Sequence, residues 1–215
     1  MRLGAHARAQ FATRQAGDGT TNVHEDTVVF DEMETFEHSK CKPVSIAIAV
    51  EQLSRRVVSV EVAQMPAKGK LAAISRKKYG KRSDKRGTAL RHVLNEVRRL
   101  YPHLAVLKSD ECPRYPNYVT GILGRDIVHQ TFKGRRGCVV GQGELKAGGF
   151  DPLFSLNHTC AMFRDHIKRL SRRTWCTTKR VDRLRDLVAL YAWWHNHTIS
   201  GMKRPFVMAQ KSMLL

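Results

Sequence analysis

The stretch that most restricts what this chain folds into is Thr27 to His38, TVVFDEMETFEH. Val28, Val29 and Phe30 suit a buried strand, and they run straight into Asp31, with Glu32, Glu34 and Glu37 close behind. These acids oppose the chain's own composition of 38 Lys and Arg against 19 Asp and Glu. The stretch reads either as a strand ending in a cation-holding site with an acidic turn after it, or as a solvated acidic loop. A second apolar strand that ends in an acid, Leu104 to Asp110, favours the first reading.

Charge narrows the partners. A net charge of +19 and a pI near 10.3 make a polyanion the natural ligand, because neutralising phosphates with counterion release rewards a basic surface. Nucleic acid ranks above an acidic membrane. No apolar run reaches the roughly 18 residues needed to span a bilayer, and the N-terminus lacks the apolar core of a secretory signal. The expected location is cytoplasmic, associated with the chromosome. Five cysteines without a C-x-x-C pair support neither a zinc ribbon nor a disulfide framework.

Along the chain, residues 1–26 read as a mobile lead-in, 27–198 as one domain and 199–215 as a C-terminal tail. After the Asp31 strand, Val44–Val50 and Val57–Ala63 are two further strand candidates, and three successive strands imply an antiparallel meander. Met65–Arg86 is a basic excursion carrying Arg76, Lys77, Lys78, Lys81 and Arg82. From Thr88, Ala89, Leu90, Val93, Leu94, Val97 and Leu100 recur at helical spacing. Leu104–Leu107 forms a strand that delivers Lys108, Ser109 and Asp110 at its C-terminal end, where open α/β sheets place their chemistry. PRYPNYVTGILG suits a short helix, and Asp126–His129 a last strand.

The Gly-rich segment 133–149 matches neither a P-loop nor a dinucleotide fingerprint and reads as a DNA-contacting loop, with Lys133, Arg135 and Arg136 at its start. Asp151-Pro152 then looks like an N-cap with proline at the first helical position, opening a helix with the stripe Leu153, Leu156, Cys160, Phe163, Ile167 and Leu170. Lys168, Arg169, Arg172 and Arg173 lie in a second basic run. Leu184, Leu187, Val188, Tyr191 and Trp194 trace a final amphipathic helix, and the histidines beside Trp193 and Trp194 suit core or interface positions better than metal ligation.

This order, three strands, helix, strand, short helix, strand and long helices, matches a ribonuclease-H-like α/β fold with a mixed five-stranded sheet and helices on both faces. In that fold the first and fourth strands are neighbours, so Asp31 and Asp110 come side by side. Paired carboxylates suit Mg²⁺ or Mn²⁺, and two ions about 3.5–4 Å apart activate one oxygen and stabilise the leaving one in phosphodiester chemistry. The third ligand in such folds comes from a late helix, here the one after Asp151.

FDEMETFEHSKCKP, LKSDECPRYP, FKGRRG, GQGELKAGGFDPLFSLNHT and IKRLSRRTWCTTK together resemble insertion-sequence transposases of the DDE class, over roughly residues 27–198. The resemblance implies a metal-dependent enzyme that nicks element ends and joins the freed 3′-hydroxyl to target DNA, working as a possible homodimer in a synaptic complex. Carried over by position, Asp31 is similar to the first catalytic acid of the family and Asp110 to the second. The place of the usual catalytic glutamate falls on Asn157, whose amide oxygen can ligate Mg²⁺ without a formal charge. Glu144, 34 residues after Asp110, is the alternative carboxylate, but its glycine-rich setting holds a side chain less rigidly than a helix does, so Asn157 is favoured. Members of the family carry a DNA-recognition module ahead of the catalytic domain, and only 26 residues precede the first strand here. The competing expectation is therefore a truncated, inactive remnant that only binds nucleic acid.

Overall fold

The computed structural model describes residues 9, 26–133, 151–171 and 176–202. Strands β1 (Thr27–Phe36), β2 (Pro43–Glu51) and β3 (Val57–Gln64) form the expected antiparallel meander. Helices α1 (Leu71–Tyr79) and α2 (Arg86–Leu100) follow, then β4 (Val106–Asp110), α3 (Tyr115–Leu123) and β5 (Val128–Phe132). The described chain closes with α4 (Phe154–His166), a 3-10 turn at Lys168–Leu170 and α5 (Val181–Met202). The strand order is β3-β2-β1-β4-β5, with β4 parallel to β1 and β5 parallel to β4. A mixed five-stranded sheet in this order, with helices on both faces, is the ribonuclease-H-like fold.

Alternation along the strands builds the two faces. On β1, Val28 and Phe30 pack with Ala89, Leu90, Val93, Leu94 and Val97 of α2, whereas Val29 and Met33 pack with Leu156 and Phe163 of α4 and Leu184 and Val188 of α5. All these residues are fully or almost fully buried, each contributing roughly 1.5–3 kcal/mol. The stripe Leu153, Leu156, Phe163, Ile167 and Leu170 is buried as its spacing predicts, with Cys160 packed against it.

Several elements depart from the sequence reading. The acids after Asp31 are not a turn: β1 runs through Glu32 and Glu34 to Phe36, because β2 pairs with it without a break from Val28 opposite Glu51 to Phe36 opposite Pro43. The basic excursion contains a helix, α1, whose Ser75 hydroxyl donates to the Cys41 carbonyl at 2.6 Å. Pairing with β5 moves the fourth strand on to Val106–Asp110, and β5 itself reaches Phe132. Asp151 accepts from the Leu153 amide at 2.9 Å, but it caps a turn, and α4 begins only at Phe154. Trp194 is 42% exposed, and the inner face of α5 is completed by Ala192 and His195 instead. His195 meets the Arg55 carbonyl at 3.2 Å, and Asn196 brackets Val57, accepting from its amide and donating to its carbonyl.

Candidate active site

Parallel pairing between β1 and β4 sets the site. Thr27, Val28 and Val29 stand opposite Val106, Leu107 and Lys108, so two residues further on Asp31 and Asp110 come level on neighbouring strands. Odd positions of β1 share the face of α4 and α5, and Asp110 shares that face because Lys108 stands opposite Val29. Both aspartates are half-buried. Asp31 has its pKa raised to about 6, first by burial and then by the charge of Asp110, which places the two carboxylates within electrostatic reach of each other.

The two carboxylates are held alike. Asp31 Oδ1 accepts from the Glu32 amide at 2.6 Å and from the Tyr115 hydroxyl at 2.8 Å; Asp110 Oδ1 accepts from the Cys112 amide at 3.0 Å. Among the described residues, neither Oδ2 accepts a hydrogen bond. Tyr115 is 1% exposed, and burial followed by the charges of Asp31 and Glu32 pushes its phenol far above the usual range, so it remains a donor. Beside it, Arg114 pairs with Glu32, whose other oxygen accepts from the Ser45 hydroxyl at 2.8 Å. Behind Asp110, Ser109 is fully buried and lies 2.8 Å from His129 Nε2. Burial lowers the pKa of that histidine.

The donor chemistry fits a hard divalent cation: two carboxylates on adjacent strands, each with one oxygen hydrogen-bonded and the other accepting nothing among the described residues. Among the described residues no group of three His, Cys, Asp or Glu completes a cluster. Asn157 is exposed on the first turns of α4, and its amide donates to Asp151 Oδ2 at 2.9 Å. The α4 side chain that senses Asp31 is Cys160, whose thiol is pushed up to about 12, by burial first and by the Asp31 charge second. Glu144 lies outside the described residues. Asp151, read from the sequence only as a cap, is a carboxylate beside Asn157. Tyr115 was also missed, because nothing local marks a residue whose partner lies 84 positions away.

The basic residues divide. Arg76, Lys77, Lys78 and Lys81 are exposed, and Arg76, Lys77 and Lys81 line an open cleft of about 870 Å³ between α1 and the loop after it. That helix sits beside the β1–β2 turn, where Ser75 reaches Cys41, and just before it Lys68 bridges to Glu34 at 2.7 Å. Lys133, Lys168 and Arg169 are exposed, whereas Arg135, Arg136, Arg172 and Arg173 lie outside the described residues. Arg82 is different. Its side chain is only 9% exposed, and its guanidinium meets Glu37 at 3.4 Å and donates to the Met65 and Pro43 carbonyls at 3.3 and 3.4 Å. Arg82→Met is therefore expected to destabilise the fold by about 1–3 kcal/mol in urea titration, leaving Glu37 short of a partner, with DNA affinity of the folded protein changed less than about twofold.

No protein-family model and no curated protein matches the chain. Solved structures similar to it include the catalytic domain of Mos1 mariner transposase, at 13% identity over 93% of this chain and 89% of that one, with a TM-score of 0.39. The same domain with raltegravir and Mn is 11% identical over 89% and 94% of the two chains, TM-score 0.32. A chain of the simian T-cell lymphotropic virus intasome bound to the PP2A regulatory subunit B56 gamma is 14% identical over 75% and 54%, TM-score 0.32.

Proposed function

We propose that this chain is a metal-dependent transposase of the insertion-sequence DDE class, cleaving DNA strands at element ends and transferring them to a target. The observation that carries the reading is the Asp31 and Asp110 pair, level on adjacent parallel strands, each hydrogen-bonded at one oxygen and, among the described residues, open at the other. Asp31 and Asp110 would hold Mg²⁺ or Mn²⁺, with Asn157 or Glu144 as third donor. Bound there, two such ions supply activation of the attacking oxygen and stabilisation of the leaving oxygen in phosphodiester chemistry.

The chain's own residues do the rest. Asp31 and Asp110 place their negative charge where the cation binds, Tyr115 and the Glu32 amide orient Asp31, and the exposed Arg76, Lys77, Lys78, Lys81, Lys133, Lys168 and Arg169 bind DNA phosphates. Arg135, Arg136, Arg172 and Arg173 extend the same basic runs. Element ends and target DNA are the partners, the protein acts on the chromosome, and two copies meet in a synaptic complex. No described helix is long and apolar enough to cross a membrane.

One observation favours the reading of an inactive DNA-binding remnant: Asn157 is exposed, and its amide nitrogen ties the side chain to Asp151 Oδ2 at 2.9 Å. The deciding experiment is strand cleavage of an end-containing duplex with Mg²⁺ against EDTA, since binding of phosphates by Lys and Arg needs no divalent ion. Nicking that is absent in Mg²⁺ and Mn²⁺ alike, with DNA binding intact, establishes the remnant.

The same assay assigns the third donor. Asn157→Ala is expected to lower cleavage by about 10²-fold or more and Asn157→Glu to retain it, while Glu144→Gln has the smaller effect. Full activity in Asn157→Ala together with none in Glu144→Gln moves the role to Glu144.

A further inference from the structure

We infer that Tyr115 is a positioning residue for the aspartate pair: its buried hydroxyl locks Asp31 by Oδ1, so that Oδ2 is the oxygen presented to a divalent cation. This rests on the metal-dependent reading above and adds to it a specific ligand atom and the residue that selects it. The terminal torsion of an aspartate is broad and two-fold, so a carboxylate held by one donor swings between orientations. Asp31 Oδ1 receives two donors from different directions, the Glu32 amide at 2.6 Å and the Tyr115 hydroxyl at 2.8 Å, and two donors on one oxygen remove that freedom.

The phenol is itself fixed. Tyr115 is 1% exposed, its ring centroid lies 4.7 Å from that of Phe30, and it opens α3 with its amide donating to the Cys112 carbonyl at 3.0 Å. Arg114 pairs with Glu32 immediately alongside. Residues 114 and 115 thus grip residues 32 and 31, tying the connection that follows Asp110 to the strand that carries Asp31. Packing alone does not call for a hydroxyl here: phenylalanine fills the same space. The hydroxyl's sole described partner is Asp31.

The test is calorimetric titration with Mn²⁺ alone on the full chain, comparing wild type, Tyr115→Phe, Tyr118→Phe and Asp31→Asn, with thermal unfolding in EDTA alongside. Tyr115→Phe keeps the ring against Phe30 and should unfold near the wild-type temperature, yet bind Mn²⁺ about 10–100-fold more weakly and lose kcat by a similar factor with KM for DNA unchanged. Tyr118→Phe, a phenol lost from the same helix, should bind Mn²⁺ within about twofold of wild type. Wild-type Mn²⁺ affinity in Tyr115→Phe, or an equal loss in Tyr118→Phe, overturns the positioning role. Equal Mn²⁺ uptake by wild type and Asp31→Asn instead removes the metal site itself.

Discussion

Asp31→Asn is expected to abolish Mg²⁺-dependent cleavage and, in the same protein, to raise the stability of the metal-free fold. Loss of groups that merely orient a ligand costs about 10–100-fold, so loss of the ligand should exceed about 10²-fold. The stability gain follows from the shifted titration. Asp31 titrates at about 6 in the folded protein against 3.8 for the free side chain, so the folded state holds the proton more tightly. Its contribution is fully present below the unfolded value and is lost as pH rises through about 6. At neutral pH the ionised carboxylate, half-buried beside Asp110, therefore costs stability that a neutral amide does not. With partial solvent exposure discounted, the gain is about 1–3 kcal/mol, or roughly 2–12 °C in Tm for a chain of this size.

Asparagine keeps an acceptor for the Glu32 amide and Tyr115, so the packing survives the change. Calorimetry in EDTA at pH 7.5 and at pH 4 separates the effect, the gain appearing at the higher pH and vanishing at the lower. Addition of Mg²⁺ should raise the Tm of wild type and leave Asp31→Asn unmoved. A variant that is no more stable than wild type at either pH and still cleaves would show that the two carboxylates are neither coupled nor catalytic.

Reversing three charges on the α1 surface, Arg76→Glu with Lys77→Glu and Lys81→Glu, is expected to weaken duplex DNA binding by about 10²-fold or more near 100 mM salt. Each phosphate contact adds close to 0.9 to the slope of log affinity against log salt, so the slope should fall by about 3 units. On the proposed reading these side chains bind phosphates and not base edges, so weakening should be nearly uniform across sequences. The three residues are exposed, and α1 is secured through Ser75 and the loop after it through Arg82, so the fold should be untouched. Unchanged affinity and slope in a normally folded triple variant would place the DNA elsewhere.

Much of the fold was legible because strand and helix periods are local. Alternation over Val44–Val50 and Val57–Ala63, and the recurrence from Ala89 to Leu100, locate elements without knowledge of the rest of the chain. The two apolar runs that end in Asp31 and Asp110 carried the candidate site in the same way. Boundaries were less legible where a neighbouring strand extends an element: Glu32 and Glu34 look like turn residues until β2 is laid beside them. The helix α1 was hidden because its apolar residues Leu71, Ala72, Ala73 and Ile74 run together without helical spacing and its single buried side chain is Ser75. Three readings fall outside the described residues: Glu144, the pair Arg135 and Arg136, and the pair Arg172 and Arg173.

By itself, the sequence determined the order of the strands and the long helices, the excess of basic residues and the two apolar runs that lead into acids, since each is written in contiguous residues. Tertiary structure alone decided which groups meet: Tyr115 with Asp31, Arg114 with Glu32, Asn157 with Asp151, and Arg82 with Glu37. Hydrogen bonds and ion pairs act over a few ångströms and leave no periodicity along the chain, so only the sheet order that brings β4 against β1 makes partners of residues 84 positions apart.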